Sequence, residues 1–224
     1  MGVSFPAGTI VRTGEERATL VRRTYSLVFV SVLVTIVGSM FALSQPAVLT
    51  WVAQHPWLSL IGFVAPLFAV MRYQESFPLN IALVFLFAFG AGMMISPALY
   101  VYGQTRPGLI TQAAMMTIGA FAILTAYSFA SRRDFSAWGS FFSVGLWVVI
   151  GGSLLNIFFF RNPGADLALA SITILVFSGL LVYDTWRIRN VYGPNEYVAA
   201  AVQIYLDLLN LFLAILRVLG GRRN

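Results

Sequence analysis

Cysteine and lysine are both absent from this chain of 224 residues. The lack of cysteine excludes disulfides, thiol nucleophiles and thiolate metal sites. All 14 basic residues are arginines, which excludes a lysine Schiff base and therefore a retinal protein. His55 is the single histidine, so a histidine metal cluster is excluded as well.

Charge is also scarce, because only 10% of the residues are Asp, Glu, Lys or Arg, whereas 59% are hydrophobic. A soluble domain carries about 25% charged residues. With a mean hydropathy of +0.83, the chain has more apolar surface than a water-soluble globule could bury. The net charge of +6 comes from arginines scattered between apolar blocks, which is typical of membrane-protein loops and not of a nucleic-acid site. We therefore expect an integral membrane protein that binds lipid and no nucleic acid.

Long uncharged stretches divide the chain into membrane-length segments. A helix needs about 20 apolar residues to cross the hydrocarbon core, and the pattern predicts an all-α polytopic protein with a central C-terminal helix. The seven predicted spans are 24–44, 57–72, 79–101, 109–130, 137–160, 167–187 and 197–219. Residues 1–23 lack the apolar core of a cleavable signal peptide. We expect a tail over 1–23, one membrane domain over 24–219 and a short tail over 220–224.

The loop arginines predict the orientation, since cytoplasmic loops are enriched in Arg. A cytoplasmic N-terminus puts nine arginines inside and two outside, which supports that orientation in a plasma membrane. The inside set is Arg12, Arg17, Arg22, Arg23, Arg72, Arg132, Arg133, Arg187 and Arg189, and the outside set is Arg106 and Arg161. The seventh segment ends in Arg217, Arg222 and Arg223, so it either crosses against this bias or re-enters; we favour crossing.

Asp184 and Asp207 lie within apolar segments, where a charge costs several kcal/mol and usually faces a cavity or a partner. They are almost equidistant from the Tyr192-Gly193-Pro194-Asn195 turn. An antiparallel hairpin would therefore place both carboxylates at nearly equal depth, about 5–15 Å from the cytoplasmic end.

Two carboxylates that meet in a low-dielectric site tend to share one proton. Such a pair responds to pH and offers the oxygen ligands that Ca²⁺ prefers. We expect no resident cofactor other than transient Ca²⁺ on Asp184 and Asp207. The alternative is that each aspartate only binds a nearby arginine or backbone group, with Arg187 and Arg189 close to Asp184 in sequence.

Polar residues form one stripe on the seventh segment, at spacings of four, three and seven, which places them on one helix face. Lipid does not satisfy such a stripe, so it should face the protein interior or water. Its members are Gln203, Asp207, Asn210 and Arg217. We interpret it as the lining of a pathway, although Asn210 taken alone is more typical of an interhelical hydrogen bond.

Two further groups of residues carry weaker expectations. Arg72 ends the second segment at a depth that would let it latch onto the aspartate pair, but a snorkelling arginine is the commoner role there. Five glycines are expected to allow close approach of helices: Gly90, Gly92, Gly145, Gly151 and Gly152.

Three stretches, in order, resemble the Bax inhibitor-1 family (the transmembrane Bax inhibitor motif), including its bacterial members. They are TAYSF at 125–129 with RRDFS at 132–136, YDT at 183–185, and AA at 199–200 with IYLDLLNLF at 204–212 and LRVLG at 216–220. The resemblance implies a seven-helix fold around the last helix, pH-sensitive calcium leak and suppression of cell death. It puts the family's paired aspartates at Asp184 and Asp207, and its latch arginine, with less certainty, at Arg72.

These residues do not fit an intramembrane protease. An intramembrane aspartyl protease would carry Gly-x-Gly before its second aspartate, whereas Ile204-Tyr205-Leu206 precedes Asp207. Serine-protease and metalloprotease motifs are also missing, so we expect no enzyme. We predict a pH-sensitive calcium or cation leak. The resemblance to bacterial members of the family implies the alternative: a membrane interaction protein that modulates a membrane-anchored AAA protease or a stress response, without ion transport. For such a member we expect the bacterial inner (plasma) membrane.

The orientation can be tested by cysteine labelling, because the chain has no cysteine of its own. A Ser136→Cys variant should react with a membrane-impermeant maleimide only after the cytoplasmic side is opened, since the 131–136 loop carries Arg132 and Arg133. Labelling from the outside of intact cells would reverse the predicted topology.

Overall fold

The computed structural model describes residues 14–221, and the described chain is helical throughout, without a strand. Six of its helices are long and apolar enough to cross a membrane, and there are seven spans if one bent pair of helices is counted as a span. The helices are α1 (Gly14–Ser44), α2 (Pro46–Gln54), α3 (Pro56–Arg72), α4 (Leu79–Thr105), α5 (Leu109–Ala130), α6 (Ser136–Leu155), α7 (Pro163–Asn190) and α8 (Tyr197–Gly221), with a π-helical turn at Asn156–Phe160 after α6. The all-helical membrane fold is confirmed.

The ends of the predicted membrane domain differ in detail from the structure. Helix α1 begins at Gly14, so residues 14–23 of the predicted tail are helical, while 1–13 lie outside the described residues. Helix α8 continues to Gly221, so it includes the first two residues of the predicted C-terminal tail. Arg222 and Arg223 lie outside the described residues.

A short helix before the second span was not predicted. Helix α2 lies between the predicted spans 24–44 and 57–72, and it meets α3 at His55 with a bend of 97°. Pro46 and Pro56 each begin one of the two helices, and proline suits the first turn of a helix, where its missing N–H costs nothing. Helix α3 has 17 residues, or about 25 Å of length, and it matches the predicted span, which the sequence placed after His55 and Pro56.

Helix α8 is the central element. It packs against α1, α4, α5 and α7, and a larger share of it is buried than of any other described membrane-length helix. It is unbroken from Tyr197 to Gly221, which agrees with crossing and not with re-entry. The prediction that six helices surround it needs one correction: α3 packs mainly on α4 and α6 on α7, so neither packs closely on α8.

The two ends of the bundle differ in charge. One end holds the start of α1, the α5–α6 loop and the α7–α8 turn, and we call it the Arg-rich end because Arg72, Arg132, Arg133, Arg187 and Arg189 lie there. At the opposite end, the Arg106 guanidinium donates a hydrogen bond of 3.1 Å to the Leu219 carbonyl, which fixes the last turn of α8 beside the end of α4.

Helices α1 and α4 approach each other closely at two glycines. A Cβ added to Gly92 would overlap the Thr35 carbonyl oxygen, and one added to Gly38 would overlap the Phe89 carbonyl oxygen. Backbone therefore meets backbone here, and neither side can yield by moving a flexible side chain.

The glycine prediction is only partly correct. It is confirmed for Gly92, Gly145 and Gly152, which face backbone, the Val176 side chain and the Leu169 side chain, respectively. It is wrong for Gly90 and Gly151, where an added Cβ would meet nothing within 4 Å.

This difference gives a matched pair of variants on α4. Gly92→Ala should lower stability by about 1–3 kcal/mol, the usual cost of overpacking, because its Cβ collides with the backbone of α1. Gly90→Ala should be neutral or stabilising by up to about 1 kcal/mol, since alanine is the better helix former. Thermal unfolding of the detergent-solubilised proteins measures both, and equal melting temperatures would contradict the close approach.

Candidate functional site

Asp184 and Asp207 face each other across the α7–α8 hairpin. Asp184 lies near the end of α7 and Asp207 in the middle of α8, and both are buried, with exposures of 7% and 4%. Both side chains line the same cavity, and the two carboxyl groups are near enough to affect each other electrostatically. The structure therefore brings together the two aspartates that the position of the hairpin turn predicts to lie at equal depth.

Asp184 has a cationic partner on its own helix. The Arg187 guanidinium Nη1 donates to Asp184 Oδ1 at 3.0 Å, one helical turn further on. Arg187 keeps 24% of its side-chain surface exposed, so this ion pair sits at the boundary between the bundle interior and the Arg-rich end. The sequence left open whether Asp184 pairs with Asp207 or binds a nearby arginine. In the structure Asp184 has both neighbours.

Arg187 also connects α7 to α8. The same Nη1 donates to Gln203 Oε1, and Gln203 Oε1 accepts a second hydrogen bond of 2.8 Å from the Tyr192 hydroxyl. The guanidinium lies 4.6 Å from the centroid of the Tyr192 ring, within the range of a cation–π contact. We call Arg187, Tyr192 and Gln203 the arginine clasp.

Tyr192 remains a neutral donor in this clasp. It lies in the turn after α7, outside the membrane-spanning helices, and is 5% exposed. Burial raises the pKa of its hydroxyl well above the ordinary value of 10.0. The hydrogen bond to Gln203 is therefore available at every physiological pH.

Asp207 lacks such a counter-charge. Its Oδ2 atom is fully buried and has no hydrogen-bond partner among the described residues. A buried carboxylate oxygen without a donor is costly, and three remedies exist: a proton on the carboxyl group, a bound water or a cation. A proton on Asp207 would let it donate to Asp184.

A cavity of about 570 Å³ adjoins this pair and lies among α6, α7 and α8. The entire polar stripe of α8 lines it, namely Gln203, Asp207, Asn210 and Arg217. The remaining walls are mostly apolar side chains of α6 and α7. The structure thus puts these four residues along one cavity, which also separates α6 from α8.

The far end of the cavity carries a second ion pair. Arg217 Nη1 lies 3.6 Å from Asp166 Oδ1, and both side chains are nearly half exposed, at 48% and 46%. An exposed ion pair contributes little to stability. Asn210 donates to the Leu206 carbonyl within α8 at 2.8 Å, so its amide oxygen is left for the cavity.

Arg72 lies elsewhere. Its guanidinium is 5.6 Å from the ring of the adjacent Tyr73, and the described ion pair of Asp184 is made by Arg187 instead. A latch role for Arg72 would need α3 to move and stays a prediction. The sequence predicted no role for Tyr192 or Asp166. The position of Tyr192 next to the Gly193-Pro194 turn, where α7 and α8 are joined, could have indicated its contact with both helices.

The donor set of this site suits a weakly held hard cation. No group of three or more His, Cys, Asp or Glu side chains gathers within the described residues, whereas Ca²⁺ takes six to eight oxygens. The two carboxylates and the amide oxygens of Gln203 and Asn210 supply part of such a shell, and water would supply the rest.

The two aspartates should respond differently to neutralisation. Asp184→Asn should destabilise the protein by about 1–3 kcal/mol, because the mostly buried Arg187 loses a charged hydrogen-bond partner. Asp207→Asn should cost less than about 1 kcal/mol, because no cation faces Asp207 and the amide that replaces its carboxyl can still donate a hydrogen bond to Asp184. Thermal unfolding in detergent at neutral pH tests this order, and a larger loss for Asp207→Asn would contradict the assignment of the cation to Asp184.

The comparisons with known proteins agree with this architecture. The family described as Inhibitor of apoptosis-promoting Bax1 matches residues 17–224. The chain is 34% identical over 212 residues to Bax inhibitor 1 of Schizosaccharomyces pombe, which covers 93% of this chain and 78% of that protein. It is 34% identical over 206 residues to Protein lifeguard 4 of Mus musculus, covering 91% and 85%, respectively. An uncharacterized protein of Campylobacter jejuni is 31% identical over 210 residues, covering 91% and 89%. The chain belongs to the Bax inhibitor-1 family.

Proposed function

We propose that this protein is a pH-sensitive leak pathway for Ca²⁺ or related cations, gated by the proton that Asp184 and Asp207 share. The observation that carries the proposal is the unpartnered, fully buried Oδ2 atom of Asp207, located beside a second carboxylate and a cavity that the polar stripe of α8 lines. A purely structural hydrogen bond at Asp207 would not leave this buried oxygen without a partner.

Charge balance defines the closed state. The charge of Arg187 balances that of Asp184 at 3.0 Å, so the shared proton belongs on Asp207, which has no cation nearby. The carboxyl of Asp207 then donates to the Asp184 carboxylate and ties α8 to α7. The buried cluster carries no net charge in this state.

Removal of the proton reverses this balance. Two carboxylates with one arginine leave a net negative charge in a site of low dielectric, where such a charge is expensive. Separation of α7 from α8, or entry of a cation, relieves the excess. A bias of about 1.4 kcal/mol changes the ratio of open to closed molecules tenfold.

Calcium enters this scheme as the transported ion. Asp207, Gln203 and Asn210 line one wall of the cavity, and their oxygens match the hard ligands that Ca²⁺ prefers. Because a proton and a cation would use the same carboxylate oxygens, protonation should weaken cation binding.

The orientation belongs to the same proposal. We assign the Arg-rich end to the cytoplasm and the protein to a bacterial plasma membrane, supported by the excess of loop arginines at that end. The shared proton would then report cytoplasmic pH, since Arg187 and Tyr192 lie at that mouth of the site.

Calcium flux into liposomes that contain the purified protein tests the function. Flux should rise as pH rises, because deprotonation opens the pair. The Asp184→Asn/Asp207→Asn double variant should show a flat pH profile. Asp134→Asn, which removes an exposed carboxylate of the α5–α6 loop, serves as the matched control and should keep the wild-type profile.

Two outcomes would overturn the leak function. The double variant could retain the wild-type pH profile, or wild-type protein could carry no cation flux at any pH. The second outcome would favour the interaction role, modulation of a membrane-anchored AAA protease or of a stress response. Asp207→Asn should leave that role largely intact.

A further inference from the structure

We propose that Arg187 is a tethered cation that holds the ion-binding position of Asp184, and that a transported cation must displace it. The inference rests on the proposed function and adds a residue that sets cation affinity. It assigns the competing charge to α7 itself, not to an arginine of the second span.

The first observation is the double use of one nitrogen. Arg187 Nη1 contacts Asp184 Oδ1 at 3.0 Å and also Gln203 Oε1. Both acceptors are oxygens of the kind that a hard cation binds, and both residues line the cavity that holds Asp207. The guanidinium therefore occupies two of the oxygens that a cation next to Asp207 would need.

The second observation is the tether. Tyr192 holds Gln203 through a hydrogen bond of 2.8 Å and lies under the guanidinium at 4.6 Å. The Tyr183 ring is 5.6 Å away. Arg187 thus has two aromatic neighbours at the Arg-rich end, and its guanidinium can withdraw toward solvent without leaving the protein, which a free ion could not do.

The consequence is a competition that lowers cation affinity. Because the arginine is covalently attached, its effective concentration at Asp184 is high and it cannot diffuse away. A cation must therefore displace it, and the free energy of cation binding is reduced by the free energy of the Arg187 contacts.

Removal of the competitor should raise cation affinity. Arg187→Gln keeps a polar side chain but no charge, and should increase the apparent affinity for Ca²⁺ at a fixed pH at least about tenfold, which corresponds to about 1.4 kcal/mol. Tyr192→Phe keeps the ring and removes only the hydrogen bond to Gln203, so it should shift affinity in the same direction by a smaller factor. Arg132→Gln, an exposed arginine of the α5–α6 loop, is the matched control and should bind as wild type.

Equilibrium binding of radioactive ⁴⁵Ca²⁺ to detergent-solubilised protein is the direct measurement, with liposome flux as the second. Wild-type affinity in both Arg187→Gln and Tyr192→Phe would overturn the inference. If Arg187→Gln does not fold, Arg187→Lys takes its place. Lysine keeps the charge but not the planar fork that bridges two oxygens, so affinity should rise and an unchanged value would count against the inference.

The two proposals fail in different ways. If Asp184→Asn and Asp207→Asn leave calcium binding and flux unchanged, the proposed function is wrong, whatever Arg187 does. If those variants abolish binding while Arg187→Gln behaves as wild type, the leak function stands and the tethered cation is wrong.

Discussion

The burial of two carboxylates at one depth constrains the rest of this bundle. Asp184 and Asp207 are both at least nine-tenths buried, and an uncompensated charge in such a site is more expensive than most single interactions can offset. Arg187 compensates one carboxylate at 3.0 Å, which leaves the second to a proton or a cation. The helix that carries Asp207 therefore lies in the centre of the bundle, where the cavity and α7 can satisfy it and lipid cannot.

Two kinds of helix contact surround this centre. Helices α1 and α4 meet through backbone at Gly38 and Gly92, and such a contact resists sliding because neither backbone can yield. Helix α6 instead packs on α7, while a cavity of about 570 Å³ separates it from α8. Under the proposed function, opening next to the aspartates would involve motion on the α6–α7 side, while the α1–α4 side stays fixed.

The cavity has an ion pair at each end, and burial makes them unequal. Arg187 and Asp184 are 24% and 9% exposed in their side chains, whereas Arg217 and Asp166 are close to half exposed. Solvent screens the outer pair almost completely, so it contributes little and exchanges readily. The inner pair is shielded, bonded to Gln203 and in contact with the Tyr192 ring, so under the proposed function this pair would control access to the buried carboxylates.

The amino-acid sequence alone was sufficient to predict the number of apolar segments, the equal depth of Asp184 and Asp207, and the helix face shared by Gln203, Asp207 and Asn210. These features follow from rise and periodicity along one helix, so no contact between distant residues is needed to predict them. Tertiary packing was needed to establish that α2 is a separate helix bent by 97° against α3, that Gly92 and not Gly90 meets a neighbour, and that Arg187 contacts Asp184 while Arg72 lies on Tyr73. Each of these depends on which helices become neighbours and at what distance, and packing between segments far apart in the chain sets both.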